Sequence, residues 1–170
     1  GQNQVWAAQY YTYIKPRSFI SSGGLGTMGY GLGAAIGASL GNPGKKVVNV
    51  AGDGSFKMNS NELATLSKYK PSVIQLVFNN HALGMVRQWQ ELFCNSRFSF
   101  TLLGDDVDFI KLGAAYGIKG IRIESNDQVE EALREALKAE GPVILECIIN
   151  EENMVLPMVA PGAPIDEIVD

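Results

Sequence analysis

The chain has 170 residues, 46% of them hydrophobic and 19% charged, with 14 Lys+Arg against 18 Asp+Glu. Those values describe one globular domain able to bury a substantial core, and they exclude a disordered chain. The net charge of −4 argues against nucleic-acid binding, and no apolar run has the length of a membrane span or signal peptide.

Two cysteines make no disulfide framework. Cys147 sits in an apolar run and reads as a small core residue, while Cys94 has no zinc-like spacing to His81. The expected compartment is reducing and intracellular: the cytoplasm, or an organelle in a eukaryote. The chain opens on Gly1 without an initiator Met, which reads as an excised domain or fragment.

In chain order, residues 18–21 are a short strand candidate leading into a glycine-rich run. Residues 30–40 are small and apolar, with Gly31, Gly33 and Gly37 among them. Glycine costs about 1 kcal/mol per helix position, so a helix here implies close approach to its backbone. Gly41-Asn42-Pro43-Gly44 ends it. Residues 46–51 read as a buried parallel strand running into Gly52-Asp53-Gly54. Asn59 and Glu62 have capping-box spacing for a helix carrying Leu63 and Leu66 on one face, and Pro71 stops it. Residues 73–78 form a second apolar strand ending on Asn79-Asn80.

Beyond it, residues 83–93 predict a helix with Val86, Trp89 and Phe93 at helical spacing, followed by a loop over 98–108. Residues 109–116 predict a helix and 118–123 a short strand. An amphipathic helix over 127–139 turns Val129, Ala132, Leu133, Ala136 and Leu137 inward. Gly141-Pro142 precedes the last strand, 143–149. Alternating strands and helices predict an α/β fold: a parallel sheet of about six strands with helices on both faces. Residues 1–150 form the domain, and 151–170 a tail that packs on the domain or on a partner.

Chemistry gathers at two strand ends. Two parallel neighbouring strands would bring Asp53 and Asn79-Asn80 to the carboxyl edge of the sheet, where α/β proteins bind ligands. One carboxylate, one amide oxygen and backbone carbonyls are a hard oxygen set, suited to Mg²⁺ or Ca²⁺ rather than Zn²⁺. Magnesium held by few protein oxygens takes its other ligands from phosphate and water, so the pattern proposes a magnesium–diphosphate site. The competing reading of Asp53 is a tight turn in which its side chain bonds its own backbone.

Gly52-Asp53-Gly54 followed by Asn79-Asn80 resembles the signature of thiamine diphosphate enzymes. The run 22–31, Gly84-Met85-Val86-Arg87-Gln88-Trp89-Gln90 and Val155-Leu156-Pro157-Met158-Val159 resemble the catalytic subunit of acetohydroxyacid (acetolactate) synthases, specifically their C-terminal diphosphate-binding domain. The resemblance covers essentially the whole chain. It implies the thiamine diphosphate-binding fold and carboligation: decarboxylation of pyruvate and transfer of the two-carbon unit to a second 2-oxoacid, pyruvate or 2-oxobutyrate, at the entry to branched-chain amino acids.

The family pattern places Mg²⁺ on Asp53, Asn80 and the carbonyl of Ala82. Cofactor contacts fall on Gln2, Asn3, Gly26, Met28, Gly52, Gly54, Ser55, Leu83, Gly84 and Met85. Asn3 stands where the family commonly has His, and Gly33 where it has Pro. Met28 is implied as the apolar wedge under the bent cofactor, with the Gly26 carbonyl accepting from its amino group. Met85, Val86 and Trp89 are implied to line the substrate channel; on the residues alone, these last three would equally suit a buried helix face. Gln2 and Asn3 could be polar residues on a frayed terminus, and His81 is read as an exposed loop residue, not a base.

The activating Glu of the family belongs to a different domain of a partner subunit, so this chain alone is expected to be inactive. FAD would be bound mainly outside this domain. Homodimer or tetramer contacts would run through other domains, with a small regulatory subunit as a further partner. The alternatives are the beta half of a split thiamine diphosphate decarboxylase or oxidoreductase, and a non-catalytic cofactor-binding module. A pyruvate oxidase or glyoxylate carboligase relative is disfavoured by Gln88-Trp89-Gln90.

Overall fold

Strands β1 (Val47–Gly52), β2 (Val73–Asn79), β3 (Lys119–Ile123) and β4 (Val143–Ile148) form a parallel sheet in the order β1-β2-β4-β3 in the computed structural model, which describes residues 1–104 and 106–170. Around it lie helices α1 (Gln2–Tyr10), α2 (Tyr30–Gly41), α3 (Asp53–Met58), α4 (Leu63–Tyr69), α5 (Gly84–Phe93), α6 (Phe109–Ala115) and α7 (Val129–Lys138).

The central strands are apolar almost throughout because both sheet faces are covered. Successive residues turn to opposite faces, and the core divides accordingly. Val73, Val77 and Ile144 join Leu32, Leu63, Leu66 and Phe109 on one side. Ile74, Val143 and Leu145 join Ile123, Ala132 and Ala136 on the other. Fully burying a side chain of this kind contributes about 1.5–3 kcal/mol. Helix α2 comes close enough to β1 that a Cβ on Gly31 would overlap the Asn49 side chain. Asn49, in turn, donates to the buried Gln75 at 2.6 Å. Close approach is therefore what the glycine at 31 permits.

Two expectations about strands are corrected. The main sheet has four strands rather than six. Residues 18–21 run unpaired with Phe19 and Ile20 exposed, since no strand among the described residues lies beside them to satisfy a ladder. A small antiparallel pair, β5 (Met158–Val159) with β6 (Ile168–Val169), forms instead within the tail. Residues 2–10 are helical, and Trp6 packs edge-on against Phe78 at 6.0 Å between ring centroids.

The capping box at Asn59 and Glu62 does not form. Asn59 donates to the Gly29 carbonyl at 3.2 Å and Glu62 accepts from Thr65 at 2.7 Å, so both side chains are already engaged. A capping box occurs at Ser125 and Gln128, ahead of α7. On α7 itself, Leu137 is 55% exposed; the inward stripe is narrower than expected and ends at Ala136.

Candidate functional site

Parallel pairing sets Gly52 of β1 opposite Phe78 of β2, one residue before Asn79. Both strands thus stop at the same edge, and the chain turns into α3 after one and toward α5 after the other. Asp53, the first residue of α3, is 2% exposed. Burial pushes its carboxyl above the usual carboxylate range, opposed by the Gly54 N–H, Lys57 and His81. Its Oδ2 is buried with no hydrogen-bond partner among the described residues. A buried carboxylate oxygen without a partner is costly. The turn reading leaves this oxygen unexplained, whereas a bound cation accounts for it.

Asn80, also buried, donates Nδ2 to Gln2 Oε1 at 3.3 Å and accepts at Oδ1 from the Ala82 N–H at 3.2 Å. The 81–83 segment is pinned to 101–103: Leu83 N–H donates to Thr101 O and Leu103 N–H to His81 O, each at 2.7 Å. That pairing uses the carbonyls of His81 and Thr101 and leaves the Ala82 carbonyl outside it. His81 adopts φ +56° and is half-buried, not exposed as expected. No group of three or more His, Cys, Asp or Glu suited to a metal exists among the described residues. A cation here would therefore be held by one carboxylate and neutral oxygens, the donor set that suits magnesium.

One cleft collects nearly the whole expected set. Gln2, Asn3, Met28, Gly52, Asp53, Gly54, Ser55, Asn80, Ala82, Leu83, Gly84, Met85 and Val86 all line it. Gly26 and Trp89 do not. Gly26 lies on an exposed turn at φ +61°, next to a segment tied to α1 through Gln4, which bonds Ser21 and the Ser22 carbonyl. Val86 and Trp89 are 48% and 43% exposed, so neither is the buried helix face that their spacing equally suggested. Gln2 is buried, not frayed: Nε2 donates to Asn153 O at 2.7 Å and Gln88 Oε1 at 3.3 Å. Asn3 donates to Val50 O at 2.9 Å, which ties α1 to β1 as well as placing it at the cleft.

Local packing explains the small residues. A Cβ on Gly54 would meet Leu103 Cδ1 at 3.0 Å and Met28 Cε and Leu83 Cδ2 at 3.2 Å, so three apolar side chains close over it. Ser55 Oγ accepts from Gly29 N–H at 3.0 Å, which leaves the hydroxyl proton free to donate. Sequence reasoning missed the residues that work through space. Gln88, 1% exposed, grips the tail by exchanging bonds of 2.9 and 2.8 Å with the backbone of Val155. Glu146 is 1% exposed within β4. The available signal was a polar residue in an otherwise apolar run.

A parallel α/β sheet with a buried, unpartnered carboxylate oxygen and a carboxamide at adjoining strand ends defines the ligand-binding edge of an α/β domain. A solved structure of similar fold is a thiamine diphosphate-dependent 4-hydroxybenzoylformate decarboxylase of Rhodococcus jostii RHA1, with a TM-score of 0.67 and 28% identity, covering 72% of this chain and 23% of that one. Residues 1–147 match the family described as thiamine pyrophosphate enzyme, C-terminal TPP binding domain, and the chain belongs to it.

Relatives narrow the branch. A probable acetolactate synthase large subunit of Methanocaldococcus jannaschii is 47% identical over 99% of this chain and 28% of its own length. The acetolactate synthase isozyme 2 large subunit of Escherichia coli is 46% identical over 100% of this chain and 31% of its own. The mitochondrial acetolactate synthase catalytic subunit of Saccharomyces cerevisiae is 45% identical over 100% and 25% respectively. The chain thus spans between a quarter and a third of the length of these relatives.

Proposed function

We propose that this chain is the part of an acetolactate synthase that holds magnesium and the diphosphate of thiamine diphosphate. The observation that carries the reading is the unpartnered, buried Oδ2 of Asp53 in the cleft that Asn80 and Ala82 also line. Asp53, the Asn80 amide oxygen and the Ala82 carbonyl supply the protein's ligands to magnesium, with phosphate and water completing its shell. The Gly54 and Ser55 amides and the Ser55 hydroxyl donate to phosphate oxygens. Met28 and Leu83 provide apolar walls, and Gly26, Gly52, Gly84 and Met85 offer backbone and contact surface to the rest of the cofactor.

When bound, thiamine diphosphate supplies the electron sink for decarboxylating a 2-oxoacid and passing on the remaining two-carbon unit. Pyruvate is the donor, and pyruvate or 2-oxobutyrate the acceptor, approaching past Met85, Val86 and Trp89. The proposal extends to FAD held mainly outside these residues, a dimer or tetramer, a small regulatory partner, and a cytoplasmic or organellar location. Among the described residues no helix is long and apolar enough to cross a membrane.

Calorimetric titration with thiamine diphosphate, with and without magnesium, tests the core of this reading. Asp53→Asn should abolish the magnesium-dependent part. Loss of the buried charge should also stabilise the ligand-free chain. Undiminished magnesium-dependent affinity in the folded variant would overturn the assignment.

A further inference from the structure

Glu146 sits within β4 beside Val143, Ile144 and Leu145, all buried and apolar. A carboxylate placed there needs a partner on each oxygen. Oε1 accepts from Asn79 Nδ2 and Oε2 from Arg122 Nε, each at 2.8 Å. Arg122 on β3 also donates to Asp108 at 3.0 Å, and Asp108 caps α6 by accepting from the N–H groups of Ile110 and Lys111. The cluster therefore runs from the start of α6 across β3 and β4 to the last residue of β2. Glu146 does not line the cleft.

The far end of Asn79 reaches the site. Its Oδ1 accepts from the His81 N–H at 3.2 Å, and Asn80 repeats the pattern one residue on with the Ala82 N–H at 3.2 Å. Two successive Asx turns thus carry the chain out of β2, with His81 held at φ +56°, a conformation that side chains other than Gly adopt only when their surroundings enforce it. An Asn amide has two ends of equal size but opposite polarity, and its partners decide which way it faces. A carboxylate only accepts. Glu146 therefore takes the NH₂ end and leaves the oxygen for His81.

We infer that Glu146 is a positioning residue for the cation site: through Asn79 it fixes the His81 peptide, and thereby aims the Asn80 side chain and Ala82 carbonyl into the cleft. The inference rests on the reading of Asp53, Asn80 and Ala82 as the protein's magnesium ligands. If the Glu146–Arg122 pair served only to hold β3 against β4, apolar residues of similar volume would do as well, and the orientation of Asn79 would not depend on it.

Glu146→Gln separates the two. The new amide can offer its own NH₂ to Asn79, which turns the Asn79 side chain round and sets a donor against the His81 N–H. In the ¹⁵N-labelled chain without ligand, the His81 amide should shift and lose hydrogen-exchange protection. In calorimetry, the magnesium concentration that half-saturates thiamine diphosphate binding should rise about 10–100-fold, the range for outer-shell partners of metal ligands, with affinity restored at saturating magnesium. Combining Glu146→Gln with Asn79→Asp should reverse both effects. The carboxylate at 79 then accepts from the amide at 146 and from His81 N–H, and the amide oxygen at 146 takes Arg122.

A folded Glu146→Gln chain with unchanged His81 protection and magnesium requirement overturns the inference, as does a folded double variant with His81 still unprotected. Should the single variant not fold, the double variant decides alone: His81 protected and a near-normal magnesium requirement support the inference. If the unmodified chain shows no magnesium-dependent binding, the cation-site reading falls and takes this inference with it. Normal binding by Glu146→Gln alongside loss in Asp53→Asn overturns only the positioning role.

Discussion

The side-chain oxygen of Gln2 fills the space where a side chain on Gly84 would begin: a Cβ there would overlap Oε1 and lie 2.7 Å from Asn80 Nδ2. The absence of a side chain at the start of α5 is thus what lets Gln2 reach Asn80. Gly84→Ala must expel the Gln2 side chain, because its amide is the flexible partner in the overlap. The displaced group gives up its bonds to Asn80, Gln88 and Asn153.

Gly84→Ala is therefore expected to weaken magnesium-dependent thiamine diphosphate binding by about tenfold or more, the cost typical of losing an outer-shell partner. Gly33→Ala provides the contrast. It is interior to α2, and a Cβ there meets nothing within 4 Å, so the variant should gain about 0.5–1 kcal/mol of stability through the helix preference for Ala. Thermal melts and calorimetry on both variants check the pair; equal binding by Gly84→Ala and the unmodified chain would remove Gln2 from the site.

What was legible in the sequence was what is local. Gly52-Asp53-Gly54 and Asn79-Asn80 each announce a strand end, and parallel pairing brings two such ends together without further information. The cofactor set came from the family resemblance that those motifs and their flanks carry, and all of it except Gly26 lines one cleft. What escaped depends on partners distant in sequence. Gln2 reads as a polar end until Gln88 and Asn153 are seen to bury it. Glu146 reads as an oddity in a strand until Arg122 and Asn79 supply its partners. The strand at 18–21 failed for the same reason inverted: its composition allows extension, but pairing needs a neighbour, and the described residues offer none.

Trp89→Leu should change the choice of acceptor more than cofactor binding in the assembled enzyme. Trp89 lies one turn beyond Met85 and Val86 on α5, outside the cleft, and is 43% exposed with its ring 5.5 Å from that of Phe93. Shortening it removes a flat wall on the approach while leaving Asp53 and Asn80 untouched. The ratio of acetolactate to acetohydroxybutyrate formed from pyruvate plus 2-oxobutyrate reads the effect. An unchanged ratio would make Trp89 a surface residue with no part in selection.

The two cysteines should separate by pH. Burial, reinforced by the neighbouring Glu146, pushes the Cys147 thiol up to about 11 from an ordinary 9.0; Cys94 is exposed. At pH 8 about one Cys147 in a thousand is thiolate, and only the thiolate reacts. Iodoacetamide followed by mass spectrometry should label Cys94 readily at pH 8 and Cys147 only as pH climbs toward 11. The sign for stability follows the raised value. The folded state favours the neutral thiol, so this contribution is complete below pH 9.0 and is lost as pH rises through about 11. Equal labelling of both cysteines at pH 8 would show that the β4 end is more open than the structure has it.

Supplied with saturating thiamine diphosphate and magnesium, the 170-residue chain by itself should form no acetolactate. The reaction must move protons, and a well-placed acid–base group contributes about 10²–10⁴-fold. Among the described residues Asp53 is the one carboxyl side chain lining the cleft, and the proposed function commits it to the cation. Three acids elsewhere in the domain are engaged: Glu146 with Arg122 and Asn79, Glu62 with Thr65, and Glu130 with Arg134 on the solvent side of α7. Asn80, Gln2, Asn3 and Ser55 also line the cleft, and none is an acid near neutral pH. Cofactor binding without turnover is therefore the expected phenotype. Acetolactate formed above the level of an Asp53→Ala control would show that one of these engaged acids leaves its partners and enters the cleft.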